Sequence, residues 1–200
     1  MTHETKVTVS AGELAVASDK GIILTKRVII EKSSVLFSSL VPAINEIFGN
    51  ILSLNKGPVS SMPKISKGEN YRGFPYVILD HPASFEKGNI FAVRTMFLWG
   101  HYFSIQLHLS GRYKIKYQEN LLRNLHNDKD FFIAVGEKEW EHHFEEDNYI
   151  RFLSLIKELP GEIREKEFLK IALKYELHEW NRMQAMLPEG YRKINDLLNP

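Results

Sequence analysis

Four polar side chains alternate with apolar ones along one segment, and their types are those of ligand-binding and acid–base sites. The segment at 102–109 reads YFSIQLHL, with Phe, Ile, Leu and Leu at every second position. Period two is typical of a β-strand, so the remaining side chains share the other face of that strand. This polar row consists of Tyr102, Ser104, Gln106 and His108. Hydroxyl, amide and imidazole groups in one row can hold a ligand or move a proton.

A cation and a carboxylate lie in the two apolar runs that precede the polar row. Arg94 is the only charged residue of the run at 90–99. Asp80 and Tyr76 share one phase of the segment FPYVILDHP at 74–82. A charge inside a core-like strand needs a partner, so we expect Arg94 and Asp80 to lie on adjacent strands, on the side of the polar row.

Two interpretations of this cluster belong to different classes of function. The first is a binding or interaction module whose pocket over the sheet takes a small anionic ligand or a partner, held by Tyr76 and the polar row. The second is a hydrolase-like enzyme in which His108 is the general base, Arg94 holds an anion and Asp80 completes the site. A simpler structural alternative is a solvated face of an antiparallel sheet, polar because it meets water, and the sequence favours that alternative.

A polar stretch before these runs supplies two further cations. Residues 55–73 are rich in Gly, Pro, Ser and charged side chains, which predicts a loop that closes over the pocket. Within it, Lys67 and Arg72 can bind a phosphate or carboxylate. The glycines of this stretch have GxxxxG spacing, but Phe74 and the proline after it replace the Lys-Ser/Thr of a P-loop. A solvated turn is the alternative for this stretch.

Two adjacent histidines followed by acidic residues suggest a metal site, but the spacing argues against one. His142 and His143 precede Glu, Glu and Asp at 145–147. Neighbouring side chains point apart in a strand and about 100° apart in a helix, so adjacent imidazoles seldom chelate one ion. We therefore predict no metal, and interpret the acidic residues as a turn that caps a following helix. The segment WEHHF at 140–144 fits either a helix turn or an alternating strand.

The order of periodic segments predicts an α+β fold. Residues 25–54 carry apolar side chains at steps of three or four, and Pro42 interrupts this stripe without changing its phase, which indicates one kinked helix or two helices. The stripe consists of Ile29, Ser33, Leu36, Leu40, Ile44, Ile47, Ile51 and Leu54. Residues 74–136 are rich in strand patterns, and residues 148–198 in helical ones. We expect one domain over 1–200, with an antiparallel sheet of roughly three to five strands packed against N-terminal and C-terminal helices.

Composition narrows the function classes. The chain has 200 residues, no cysteine and a net charge of +1. Disulfides and thiolate chemistry are therefore excluded, and the charge does not favour binding nucleic acid. The start of the chain lacks the pattern of a secretory signal, and no run of about 18 apolar residues predicts a membrane span. We expect a cytoplasmic protein without a cofactor, since no GxGxxG follows a strand. A third interpretation is a structural protein that forms a homodimer through helices at 25–54 or 165–198.

One stretch of the chain resembles a known group of proteins. The sequences KISKGENYRGFPYVILDHP and IFAVRTMFLWGHYFSIQLHLSG resemble bacterial proteins of unassigned function over residues 64–111. This resemblance implies a bacterial cytosolic protein. It assigns no activity and no catalytic residue.

Overall fold

The fold joins helices at both ends of the chain to a large central sheet. The computed structural model describes residues 7–54, 59, 62–125, 129–152, 161 and 164–200. The helices are α1 Ala11–Ser18, α2 Lys20–Ile47, α3 Gly49–Leu54, α4 Gly111–Asn124 and α5 Met183–Leu198, with a 3₁₀ helix at Leu177–Arg182. The strands are β1 Lys64–Tyr71, β2 Phe74–Glu86, β3 Asn89–Leu98, β4 Tyr102–Ser110, β5 Phe131–Ala134, β6 Tyr149–Arg151 and β7 Phe168–Glu176.

The seven strands form one antiparallel sheet in the order β1-β2-β3-β4-β7-β5-β6. The α+β fold with helices before and after the sheet is confirmed. The sheet is larger than expected, because strand pairing extends beyond 74–136 at both edges.

Helices α2, α4 and α5 pack on one face of the sheet and enclose the main core. The predicted inward residues of β4 are all buried in that core, as the strict alternation of the segment requires. They are Phe103, Ile105, Leu107 and Leu109. The other face of the sheet carries the polar row.

Helix α2 runs through Pro42 without a break and ends at Ile47. The alternative in which Pro42 opens a second helix is therefore wrong, since the second helix, α3, begins only at Gly49. The shared buried face is confirmed at Leu40 and Ile44 of α2 and at Ile51 of α3. Proline removes the helical N–H partner of the carbonyl four residues earlier, which here belongs to Ser38. Ser38 is exposed, so water can satisfy that carbonyl. The side chain of Leu54 lies outside the described residues.

Helix α1 and the first residues of α2 are exposed. Residues 7–25 are exposed, and Ser10 and Asp19 cap α1 and α2 through side-chain hydrogen bonds. Among the described helices, α2 has the length and apolar composition of a membrane-crossing helix, and 22% of its most apolar window is buried. Core helices and signal sequences meet the same criterion, so this is weak evidence, and the cytoplasmic location stays a prediction.

Three segments differ from their sequence-based interpretation. Lys64–Tyr71 is an edge strand rather than part of a loop, because pairing with β2 outweighs its polar composition. Phe168–Glu176 is a strand rather than a helix, since a strand buried on both faces has apolar residues at helical spacing as well. Tyr149–Arg151 is a strand, so the acidic turn before it caps no helix. Residues 55–58, 60 and 61 lie outside the described residues.

We predict that Gly190→Ala destabilises the fold, because α5 approaches the sheet closely at this glycine. A Cβ there would lie 2.1 Å from the Tyr175 hydroxyl and 2.7 Å from Ile105 Cδ1. Overpacking of this kind costs about 1–3 kcal/mol, which urea unfolding measures. Gly49→Ala is the control, since a Cβ at Gly49 meets nothing within 4 Å. Equal stability of the two variants would contradict the close approach.

Candidate functional site

The polar face of the sheet is covered by an irregular segment at 135–148, here called the covering loop. Its ends are held together by the Val135 N–H, which donates to the Asn148 carbonyl over 2.8 Å. The segment at 140–144 is neither a helix turn nor a strand. The polar row beneath it is 0–4% exposed at all four positions. A solvated sheet face is therefore the wrong interpretation, and this face is a second buried layer.

Arg94 and Asp80 form the centre of this layer. Asp80 pairs with Arg94 across β2 and β3, and Arg94 pairs with Gln106 across β3 and β4. The Arg94 Nε donates to Asp80 Oδ1 over 2.7 Å, and Nη2 donates to Oδ2 over 2.9 Å. The expected pairing is thus confirmed, and His108 lies on the same face of the sheet.

A chain of hydrogen bonds joins this ion pair to the covering loop and the polar row. Arg94 Nη1 lies 2.9 Å from His142 Nε2, and His142 Nδ1 lies 2.8 Å from Gln106 Oε1. Gln106 Nε2 donates to Ser104 Oγ over 3.1 Å. Because guanidinium only donates, Nε2 of His142 accepts and its Nδ1–H donates to the amide oxygen. Burial, with Lys170 and Arg94 nearby, holds the pKa of His142 well below its usual range, in keeping with a neutral ring.

His108 lies at the other end of the polar row and is also buried. Its Nε2 is 3.0 Å from Glu139 Oε1 on the covering loop. Burial, with the charges of Lys170 and Arg94, lowers the pKa of His108 to about 3. A general base near neutral pH needs a pKa closer to the working pH. The lowered pKa therefore does not favour the hydrolase interpretation, in which His108 removes a proton.

Lys170 and Tyr71 hold the backbone of the covering loop. Lys170 Nζ donates to the carbonyls of Glu139, over 2.9 Å, and Glu141. Burial, together with Arg94, lowers the pKa of Lys170 to about 7. The Tyr71 hydroxyl accepts from the N–H of His142 over 2.7 Å and donates to Glu141 Oε2 over 2.9 Å. With the His143 N–H, which donates to the Tyr71 hydroxyl over 3.1 Å, five hydrogen bonds from two side chains fix the centre of an irregular segment.

Of the remaining candidate residues, Tyr76 and Tyr102 lie on the polar face, whereas Lys67 and Arg72 lie outside it. Tyr76 lies on the polar face, where its ring meets Tyr71 edge to face at 6.4 Å. The Tyr102 hydroxyl donates to the His142 carbonyl over 3.1 Å. Lys67 pairs with Val77, one position out of phase with the polar face, so the structure does not bring it to the site. Arg72 occupies the β1–β2 turn and reaches Glu145 on the covering loop over 2.9 Å.

A cleft of about 440 Å³, here called the end cleft, opens where the β1–β2 and β3–β4 turns meet the covering loop and β7. Six residues give it cationic, imidazole and aromatic walls: Arg72, Phe74, His101, Tyr102, Phe144 and Lys174. The rings are mutually packed, with Phe74 and His101 at 4.3 Å and Tyr102 and Phe144 at 4.9 Å. Lys174 Nζ lies 5.7 Å from the centre of the Tyr102 ring.

A second space of about 380 Å³, here called the loop cavity, shares Arg72 and His143 with the end cleft. The charged and imidazole groups that line it are Arg72, Glu137, Lys138, Glu141, His143 and Asp147. The His143 side chain is 10% exposed, and its ring points away from the polar layer that His142 joins. Three groups here have donor atoms within 4.8 Å of one another: His143, Glu145 and Asp147.

Sequence reasoning missed the covering loop and its anchors. His142, Glu139 and Tyr149 lie in segments without clear periodicity, and contact with a sheet face distant in sequence is invisible to local patterns. Lys170 did carry a signal, since it is the lone charge within FLKIAL at 168–173. The same pattern, a single cation in an apolar run, predicted a buried partner for Arg94.

Comparisons with protein-family models, with curated proteins and with solved structures find no match to this chain. The site is therefore interpreted from its own geometry and chemistry.

We predict that Arg94→Ala destabilises the fold by about 3–5 kcal/mol, because Asp80 is left as an uncompensated buried carboxylate. Asp80 is 6% exposed, and both of its oxygens accept from Arg94. Chemical unfolding measures the loss. Arg192→Ala is the control, since its pair with Glu189 is exposed and such pairs contribute roughly 0–1 kcal/mol. A melting temperature of Arg94→Ala equal to that of the wild type would show that the pair does not stabilise the fold.

Stability should fall as the pH falls from 7 to 5, because unfolding lets His108 take up a proton. Its pKa is about 3 when folded against 6.5 in its usual surroundings, so the unfolded chain binds more protons in this range. This one group contributes a loss of about 2 kcal/mol by pH 5. Urea unfolding at both pH values tests this. His108→Gln should lose less stability between pH 7 and pH 5 than the wild type does. His178 is exposed, so His178→Gln should lose as much stability as the wild type. The same loss in both variants would refute the assignment to His108.

Proposed function

We propose that the protein is a binding module that takes a small aromatic anion, a carboxylate or a phosphate ester, in the end cleft. The supporting observation is the convergence of Arg72 and Lys174 with the imidazole of His101 on one aromatic-walled cleft. Ligand sites are concave and largely apolar, with a few polar groups that fix orientation. The end cleft is concave and combines aromatic walls with polar groups that can orient a ligand.

The backbone of Arg72 supports a role for its side chain beyond folding. Arg72 has a φ of 54°, and Gly73 follows with a φ of 88°, so both residues of this two-residue turn are left-handed. Such turns strongly favour Asn or Gly at the first position. An arginine there carries a conformational cost of about 1 kcal/mol or more that Asn would largely avoid. This backbone conformation places the guanidinium beside the end cleft. There it can bind a carboxylate or phosphate through two parallel hydrogen bonds.

The two cations of the end cleft, Arg72 and Lys174, pair with exposed carboxylates. Glu145, which pairs with Arg72, is 63% exposed, and Glu176, which lies 3.1 Å from Lys174, is 53% exposed. Ion pairs this exposed contribute little stability, so a ligand anion can replace these carboxylates at low cost. The Phe74 and Phe144 rings can then pack against an aromatic group of the ligand.

The polar layer beneath the covering loop has a different role in this proposal. Arg94 is already paired with Asp80 and His142, and the polar row is buried. An anion there would have to displace a buried carboxylate and lift the covering loop. We infer that this layer positions the covering loop, whose residues Phe144 and Glu145 then line the end cleft.

Phenyl phosphate is the probe for this function, and phenol is the matched uncharged ligand. We expect phenyl phosphate to bind saturably, with amide resonance shifts centred on the Arg72–Gly73 and Gly100–His101 turns. Arg72→Asn suits the left-handed backbone and removes the charge, so it should weaken binding at least about tenfold. Lys174→Met should also weaken binding.

Lys67→Met provides the control, because Lys67 is an exposed cation outside the end cleft. Its affinity for phenyl phosphate should equal that of the wild type. Equal binding of phenol and phenyl phosphate, or equal weakening by Lys67→Met and Arg72→Asn, would refute an anion site at the end cleft.

A further inference from the structure

One ring nitrogen of His143 faces two carboxylates and lacks a hydrogen-bond partner among the described residues. This nitrogen is Nδ1, which is buried. The same atom lies 3.7 Å from Glu145 Oε2 and 3.7 Å from Asp147 Oδ1. Both distances are too long for a hydrogen bond. A buried nitrogen without a partner costs free energy unless something binds to it.

We propose that His143, Glu145 and Asp147 form a binding site for a divalent transition-metal ion, with Zn²⁺ as the best match. Imidazole and carboxylate donors suit Zn²⁺, whereas Mg²⁺ and Ca²⁺ prefer oxygen ligands alone. Three protein ligands leave a fourth tetrahedral position open toward the loop cavity, as in catalytic or exchange sites.

The distances are compatible with metal binding after small side-chain movements. Donor atoms about 2.0–2.1 Å from a tetrahedral Zn²⁺ lie about 3.4 Å apart. The donors here lie within 4.8 Å of one another, so they must move closer by up to about 1.4 Å. His143 is fixed by burial, while Glu145 and Asp147 are 63% and 75% exposed, so Asp147 can rotate and Glu145 can do so once it leaves Arg72.

A carboxylate also lies near the other nitrogen of the imidazole ring, beyond hydrogen-bond distance in this structure. His143 Nε2 lies 3.7 Å from Glu141 Oε2, and this carboxylate is held by the Tyr71 hydroxyl. An outer carboxylate commonly takes the remaining ring proton of a ligating histidine and so leaves the first nitrogen free for the ion. Here that nitrogen is Nδ1, which faces Glu145 and Asp147.

The local charge also favours a cation. Four carboxylates face the cluster, from Glu137, Glu141, Glu145 and Asp147, against the two cations Arg72 and Lys138. Arg72 is the direct competitor, because it donates to the same Oε2 of Glu145 that faces His143. Metal binding therefore requires Glu145 to leave Arg72.

Calorimetric titration of the chelator-treated full chain with ZnCl₂ tests the site, and Co²⁺ absorption reports the ligand set. We expect one Zn²⁺ per chain in the wild type. His143→Gln and Asp147→Asn should each weaken binding at least tenfold and change the Co²⁺ spectrum. Glu146→Gln and His178→Gln should match the wild type, because both residues are exposed and lie outside the cluster.

Arg72→Asn separates this proposal from the end-cleft proposal. Removal of the competitor should tighten Zn²⁺ binding, whereas the same variant weakens phenyl phosphate binding. Asp147→Asn removes only an exposed carboxylate, so it remains informative if His143→Gln fails to fold. Absence of saturable Zn²⁺ binding, or binding that Asp147→Asn leaves unchanged, would overturn the metal site and would not affect the anion site.

Discussion

The ion pair between Arg94 and Asp80 is the constraint on which the second layer of this fold depends. Two charges on adjacent strands of a sheet are expensive to bury, and burial is favourable only when the remaining hydrogen-bonding positions are filled. The sheet alone does not fill them. The third hydrogen bond of the guanidinium goes to His142, which comes from the covering loop, so sheet and loop must be in place together.

This dependence explains how a segment without regular structure acquires a defined position. The covering loop has few backbone partners of its own, yet Arg94, Lys170 and Tyr71 all hold it from the sheet. Adjacent side chains then serve different purposes. His142 points inward and completes the polar layer, while His143 points toward the loop cavity and its carboxylates. The expectation that neighbouring imidazoles diverge was sound, and the divergence separates a structural residue from a candidate ligand.

The sequence predicted features that depend on local periodicity or on charge in an apolar run. The alternation of β4 identified both of its faces, and the lone charge of Arg94 pointed to its pairing with Asp80. Features set by contacts distant in sequence were not predictable in this way. Burial of the polar row requires the covering loop, about 30 residues away, and no local pattern encodes that contact. The β7 strand was misassigned because burial on both faces removes the period-two signal.

Glu145 lies between the two proposed sites and cannot serve both of them with one oxygen. In the structure its Oε2 accepts from Arg72, which neutralises the cation at the mouth of the end cleft. An ion bound by His143 and Asp147 would draw Glu145 toward the loop cavity and release the guanidinium. The end cleft would then present a stronger positive charge to an anion, and by reciprocity an anion on Arg72 would release Glu145 for the ion. A single exposed carboxylate would thus couple the two proposed sites with positive sign, through the exchange of one ion-pair partner.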